Sequence, residues 1–114
     1  MSVSFRDVGN DLRHITIFGR LDMEGTEALS ARIMELVEAP KKGVVIDISP
    51  LQFLASVGIR VLIASAKAVQ QRGGKLVIVA TPGSAASMSL EATGIDNLIP
   101  VFAETDKAQQ AALR

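Results

Sequence analysis

The residue in this sequence best placed to carry chemistry is Ser56. It stands in Leu51-Gln52-Phe53-Leu54-Ala55-Ser56-Val57-Gly58, a loop that runs into a helix. The first backbone N–H groups of a helix lack intrahelical partners and carry partial positive charge. Ser56, placed at the N-cap, has two readings there. Its hydroxyl can simply cap the helix, as serine often does. Alternatively it is a modification site: a phosphoryl group on the same oxygen would meet several free N–H donors, and Gly58 would leave room for its close approach. Asp22 and Asp47 are the other candidates. Each either ends a strand and satisfies loop N–H groups, or supports Ser56 from the same edge of the fold.

Other chemistries find less support. The chain has no cysteine, so it has no disulfide, no thiolate zinc site and no cysteine nucleophile. His14 is the only histidine. A lone histidine brings no set of metal partners, and the expectation is a strand-surface residue. Ser56-Val57-Gly58 has the ending of a nucleophile elbow, but Leu54 replaces its first glycine and no histidine follows in the chain. A serine hydrolase is therefore a remote reading. Gly73-Gly74-Lys75 lacks both the earlier glycine and the following hydroxyl residue of a phosphate loop, and it leads into a strand. Met23, Met34 and Met88 read as packing residues. No metal or cofactor is expected.

The elements that must position Ser56 follow from periodicity. Val3 to Arg6 and Leu12 to Phe18 read as two strands joined by the turn Gly9-Asn10, with Ile15 and Ile17 on one face and His14, Thr16 and Phe18 on the other. Thr26 to Glu38 carries the helical stripe Leu29, Ile33, Leu36 and Val37, with Thr26 as N-cap and Pro40 just past the end. Gly43 to Ile48 is a β-branched run typical of a strand covered on both faces. Gly58 to Arg72 is helical and stops at Gly73-Gly74. Lys75 to Val79 is a further buried strand. Pro82 to Thr93 reads as a short helix with Ser84 as cap and Gly94 as stop, Ile99 to Phe102 as a last strand and Glu104 to Leu113 as a terminal helix. The order is β-β-α-β-α-β-α-β-α. It predicts an α/β fold: a mixed sheet with helices packed against it, parallel pairs joined by right-handed crossovers, and an antiparallel first hairpin.

Size and charge narrow the function classes. The chain has 114 residues, enough for one domain over 1–114. Twelve basic residues balance twelve acidic ones, which argues against a general nucleic-acid or acidic-membrane binder. The start, Met1 to Asp7, shows no apolar signal region, and no run reaches the ~18 apolar residues of a membrane span. The expectation is a small cytoplasmic domain.

Three blocks resemble a family. Gly19-Arg20-Leu21-Asp22, Val44-Val45-Ile46-Asp47-Ile48-Ser49 and Phe53-Leu54-Ala55-Ser56-Val57-Gly58-Ile59-Arg60-Val61-Leu62 are similar, in order and spacing, to the STAS domain of bacterial anti-sigma factor antagonists. Thr93-Gly94-Ile95 and Ile99-Pro100-Val101-Phe102 extend the resemblance over nearly the whole chain. The resemblance implies a non-enzymatic protein that acts by partner switching. The unphosphorylated antagonist binds an anti-sigma factor that is also a serine kinase, and so frees a sigma factor. The kinase phosphorylates a serine at the helix start, here Ser56, and the antagonist is released. A metal-dependent serine phosphatase resets it. The family segment most often reads Asp-Ser-Ser/Thr-Gly, where this chain has Ala55-Ser56-Val57-Gly58. Val57 cannot accept phosphate, so Ser56 is the sole hydroxyl of the motif. The altered motif also supports the rival reading, a non-switching STAS scaffold or accessory subunit of a transporter or signalling assembly.

The helix after Ser56 adds an expected partner surface. Ile59, Leu62, Ile63 and Ala66 form its core stripe, while Val57, Val61 and Ala68 form a second apolar stripe beside the narrow polar one of Arg60, Lys67 and Gln71. Either neighbouring helices cover that second stripe, or its part nearest Ser56 stays accessible and docks the partner. The expected docking residues are Val57, Arg60 and Val61.

Overall fold

A computed structural model describes residues 1–114. Strand β1 (Ser2–Val8) pairs antiparallel with β2 (Leu12–Leu21) across the turn at Gly9. Helix α1 (Met23–Val37) leads to β3 (Gly43–Asp47), then β4 (Leu51–Leu54) and helix α2 (Ser56–Gln71). Strand β5 (Lys75–Val79), helix α3 (Ala85–Thr93), a 3₁₀ turn (Ile95–Asn97), β6 (Val101–Phe102) and helix α4 (Thr105–Ala112) complete the chain. The sheet runs β1-β2-β3-β5-β6, with β4 also paired to β2. All pairs except the first are parallel. The expected mixed α/β sheet with packed helices is the architecture found, with one strand more than periodicity gave.

That strand is β4, and it bears on the site. β2 is ten residues long, twice the length of β3. Its first half pairs with β3, and a bulge at Gly19/Arg20 redirects its end to β4. Gly19 has φ +94°, a left-handed conformation that costs glycine little. β3 reaches β4 through a tight turn in which Leu51 N–H donates to Ile48 O at 3.0 Å. The carboxyl ends of β2 and β4 therefore lie side by side, with Leu21 opposite Leu54.

The sheet divides two cores. On one face Ile15, Ile17, Val44, Ile46, Leu76 and Ile78 pack under α1, α2 and α3. On the other, Leu12, Val45, Val77 and Val79 meet Ala108, Ala111 and Ala112 of α4. This explains the β-branched runs of β3 and β5: both of their faces are covered. The stripe expected of α1 is buried, as are Ile59, Leu62 and Ala66 of the stripe expected of α2, while Ile63 is only half-buried. Ser84 caps α3 through Ser87 N–H at 3.1 Å, and Gly94 ends it in the left-handed region. No helix is long and apolar enough to cross a membrane.

Three expectations are corrected. The cap of α1 is Asp22, whose Oδ1 accepts Gly25 N–H at 2.8 Å; Thr26 lies within the helix, buried, with its hydroxyl unpartnered. His14 is not a surface residue but 4% exposed, because α4 closes over that face. Met23 and Met88 are exposed, since each sits on the solvent side of its helix; only Met34 packs against the core.

Candidate functional site

Two helices start at the paired ends of β2 and β4. Ala55 N–H donates to Leu21 O at 2.9 Å, which fixes the start of α2 beside the start of α1. The two starts differ in one respect. Asp22 caps α1 with its own carboxylate, whereas the N-cap of α2 is Ala55, which has no side chain able to accept. Ser56 is therefore the first helical residue, not the cap. Its exposed side chain stands at a helix terminus whose leading N–H groups no side chain satisfies. The first intrahelical bond is Ile59 N–H to Ala55 O at 3.1 Å. A small anion at this spot would find backbone donors and the positive end of the helix dipole.

This placement changes one stability expectation. An N-cap serine is worth about 0.5–2 kcal/mol, but Ser56 does not cap. Ser56→Ala is thus expected to change stability by less than about 0.5 kcal/mol, as an exposed substitution does. Urea unfolding checks it, and a loss above about 1 kcal/mol would show a capping role that the geometry lacks.

Gly58 is buried on the inner side of α2. A side chain there would lie 2.9 Å from Leu21 Cβ and from Leu54 Cδ1. Its small size is required by packing of α2 on the strand ends, rather than by an approaching phosphoryl group.

Asp22 and Asp47 flank the edge, and neither bonds to Ser56. Gly25 N–H and then Arg20 hold the Asp22 carboxyl below the usual carboxylate range. Asp47 ends β3 and organises the turn into β4: its Oδ1 accepts Ser49 N–H at 2.9 Å and Ser49 Oγ–H at 2.6 Å. Its Oδ2 faces His14 Nε2 at 3.4 Å, and His14 Nδ1 faces Gln109 Nε2 at 3.2 Å. An ionised Asp47 only accepts, so Nε2 carries the proton and Nδ1 accepts from the Gln109 amide. Burial pushes the Asp47 carboxyl up, and the bonds from His14 and Ser49 outweigh it, leaving it below its ordinary value of 3.8. A depressed folded value contributes stability above the unfolded value and loses it as the pH falls through the folded one. The chain is therefore expected to lose stability below about pH 4, and Asp47→Asn to lose less there than the parent. Denaturant midpoints against pH measure this; equal acid slopes would remove Asp47 from the account.

The second stripe of α2 is partly covered. Ser65 is fully buried and donates to Val61 O at 2.7 Å, with Met34 Sδ of α1 at 3.5 Å. Val57 and Val61, nearest Ser56, remain half-buried, and Arg60 is exposed beside them. Beyond them, Phe53 of β4 is 38% exposed, with Arg20 stacked 4.7 Å from its ring centroid. Sequence reasoning missed this pair because it read β4 as loop.

The STAS domain model matches residues 7–108. The chain belongs to the STAS domain family. Among curated relatives, the anti-sigma-F factor antagonist RsfB of Mycobacterium tuberculosis is 31% identical over 93 residues, 82% of this chain and 75% of its own. A crystal structure of an anti-sigma factor antagonist from Mycobacterium paratuberculosis superposes with a TM-score of 0.87 at 28% identity, covering 99% of this STAS chain and 96% of that one. An anti-sigma-factor antagonist (STAS) domain protein from Planctomyces limnophilus shares the fold, with a TM-score of 0.81 at 18% identity and 96% of each chain covered. The STAS resemblance carried by Gly19–Asp22, Val44–Ser49 and Phe53–Leu62 thus extends to fold and family alike.

Proposed function

We propose that this STAS domain, acting as one unit over residues 1–114, is an anti-sigma factor antagonist that switches partners through Ser56. The observation that carries this reading is an exposed serine at the uncapped start of α2, in a chain whose relatives are named antagonists. Unphosphorylated, the edge formed by Ser56, Val57, Arg60 and Val61 docks on an anti-sigma factor with serine kinase activity and so frees a sigma factor. The kinase transfers the γ-phosphoryl of ATP to Ser56 Oγ, whose proton leaves as ADP departs. The new dianion sits well in the free antagonist, where the N–H groups at the start of α2 face it. At a docked interface it must be desolvated, so release follows without any large change of shape. A metal-dependent serine phosphatase hydrolyses the phosphoester and resets the chain. Asp22 and Asp47 support the site by fixing its frame: one caps α1, the other shapes the turn into β4.

The chain itself is not an enzyme in this reading. His14 is held between Asp47 and Gln109 under α4 and serves no base role for Ser56. The setting is the cytoplasm, where kinase, ATP and sigma factor meet.

Arg60 gives a clean test of the docking edge. Its side chain is exposed, while Val61 packs partly on the core, so Val61→Asp also carries a folding cost. Arg60→Glu is expected to weaken kinase binding by about tenfold, about 1.4 kcal/mol, with an unchanged unfolding midpoint. Calorimetric titration measures it, and unaltered affinity would move the interface elsewhere. Affinity purification separates the rival reading: a switching antagonist retains a serine kinase, whereas a scaffold retains a transport or signalling complex.

A further inference from the structure

Arg60 stands four residues after Ser56 on α2, and both side chains are exposed. Ile59, Leu62 and Ala66 mark the buried side of that helix, so Ser56, Arg60 and Lys67 share its solvent face. Residues four apart on a helix lie one above the other, with Cβ atoms about 5–6 Å apart. A long side chain on a helix leans back over the preceding turn. For Arg60 that turn begins at Ser56.

Arg60 is also uncommitted. It enters none of the chain's salt bridges, and α2 has no acidic residue in its first turn to hold it. The other arginine at this end of the fold, Arg20, is already engaged by Asp22 at 3.4 Å and by the Phe53 ring. An anion on Ser56 thus has a free guanidinium a single turn away. The order is the favourable one, since an acidic group four residues before a basic one supports a helix better than the reverse. Phosphate and guanidinium also pair through two parallel hydrogen bonds, a geometry that lysine lacks.

We propose that Arg60 is the second half of the switch: once Ser56 carries a phosphoryl group, the Arg60 guanidinium closes on it within the same helix. This rests on the reading of Ser56 as the modified residue. The closure does two things at once. The dianion gains a partner in the free chain, and the arginine that docks the kinase is withdrawn from the docking edge. Release then follows from the loss of an attractive group as well as from the cost of burying the new charge.

The test uses full chains with phosphoserine placed at position 56 by genetic encoding, so it depends on no kinase. A ³¹P titration reads the second ionisation of the phosphoserine, ordinarily near pH 6. The parent is compared with Arg60→Gln and with Lys67→Gln, which removes the same charge from the same face roughly 16 Å along the axis from Ser56. A guanidinium on the phosphoryl group favours the dianion. Arg60→Gln should therefore titrate about half a pH unit above the parent, and Lys67→Gln with the parent. Calorimetric titration into the anti-sigma factor kinase gives the second readout. Phosphoserine at position 56 should cost Arg60→Gln about tenfold less affinity than it costs the parent, because the Arg60 contact is already gone. Equal ³¹P midpoints in the parent and Arg60→Gln, an equal rise in Lys67→Gln, or an undiminished affinity loss in Arg60→Gln would each overturn the proposal. A parent that binds no kinase even with Ser56 free would instead contradict the partner-switching reading, and the ³¹P comparison would still decide the pairing.

Discussion

Phosphorylating Ser56 is expected to weaken binding to the anti-sigma factor kinase by more than a hundredfold, a penalty of about 3 kcal/mol at about 1.4 kcal/mol per decade. The modification adds about −1.5 to −2 charges and three strong acceptors at an exposed position. In the free chain the uncapped start of α2 accommodates this charge. At the interface the same charge must shed its water. Ser56→Asp should reproduce only part of the loss, roughly tenfold, because a carboxylate has less charge and fewer acceptor oxygens. Both forms should keep the parent's fold, because Ser56 contributes no cap. Calorimetric titration of the three species into the kinase reads the effect; equal affinities would remove the electrostatic basis of the switch.

Gly25→Ala should be the most damaging single methyl in the chain. A side chain at Gly25 would collide with the backbone carbonyl oxygen of Arg20 and come within 3.2 Å of Asp22 Oδ1. Arg20 belongs to the bulged end of β2, so the obstacle is backbone held in a sheet and cannot rotate away. The first turn of α1 must then shift off the strand, and the Asp22 cap stretches with it. Overpacking of this kind costs about 3 kcal/mol, which lowers the melting temperature of so small a domain by roughly 15 °C. Gly58→Ala is expected to cost less, about 2 kcal/mol, because its nearest atoms lie farther off, at 2.9 Å, and one of them is the Cδ1 at the end of the Leu54 side chain. Thermal unfolding ranks the two variants. A Gly25→Ala protein within about 1 kcal/mol of the parent would mean that the paired helix starts are looser than the structure has them.

Those paired starts show what could be read from the sequence. Apolar periodicity was sufficient for α1 and α2, because Leu29, Ile33 and Leu36, and Ile59, Leu62 and Ala66, mark the faces that meet the sheet. It failed for β4. That strand is four residues long, and Gln52 and Phe53 in its middle are both exposed, so neither alternation nor a continuous apolar run is present. β4 exists because β2 outlasts β3 and offers its end as a template. The cap of α1 was misplaced for a related reason. Asp22 reads from the sequence as a strand end or a support for Ser56 rather than as a cap, although aspartate is among the residues favoured just before a helix. His14 was misjudged because its cover comes from Gln109, 95 residues further on, and local pattern carries no trace of such a contact. Ser56 is singled out by its chemistry and its motif, and it lies one residue into the helix because Ala55 is the residue that keeps the extended backbone of a cap.

Intact mass after incubation with the anti-sigma factor kinase and ATP tests the central claim most directly. The chain should gain one phosphoryl group, and Ser56→Ala should gain none. A parent chain that stays unmodified, or a Ser56→Ala chain that still gains the phosphoryl mass, would contradict a switch at Ser56.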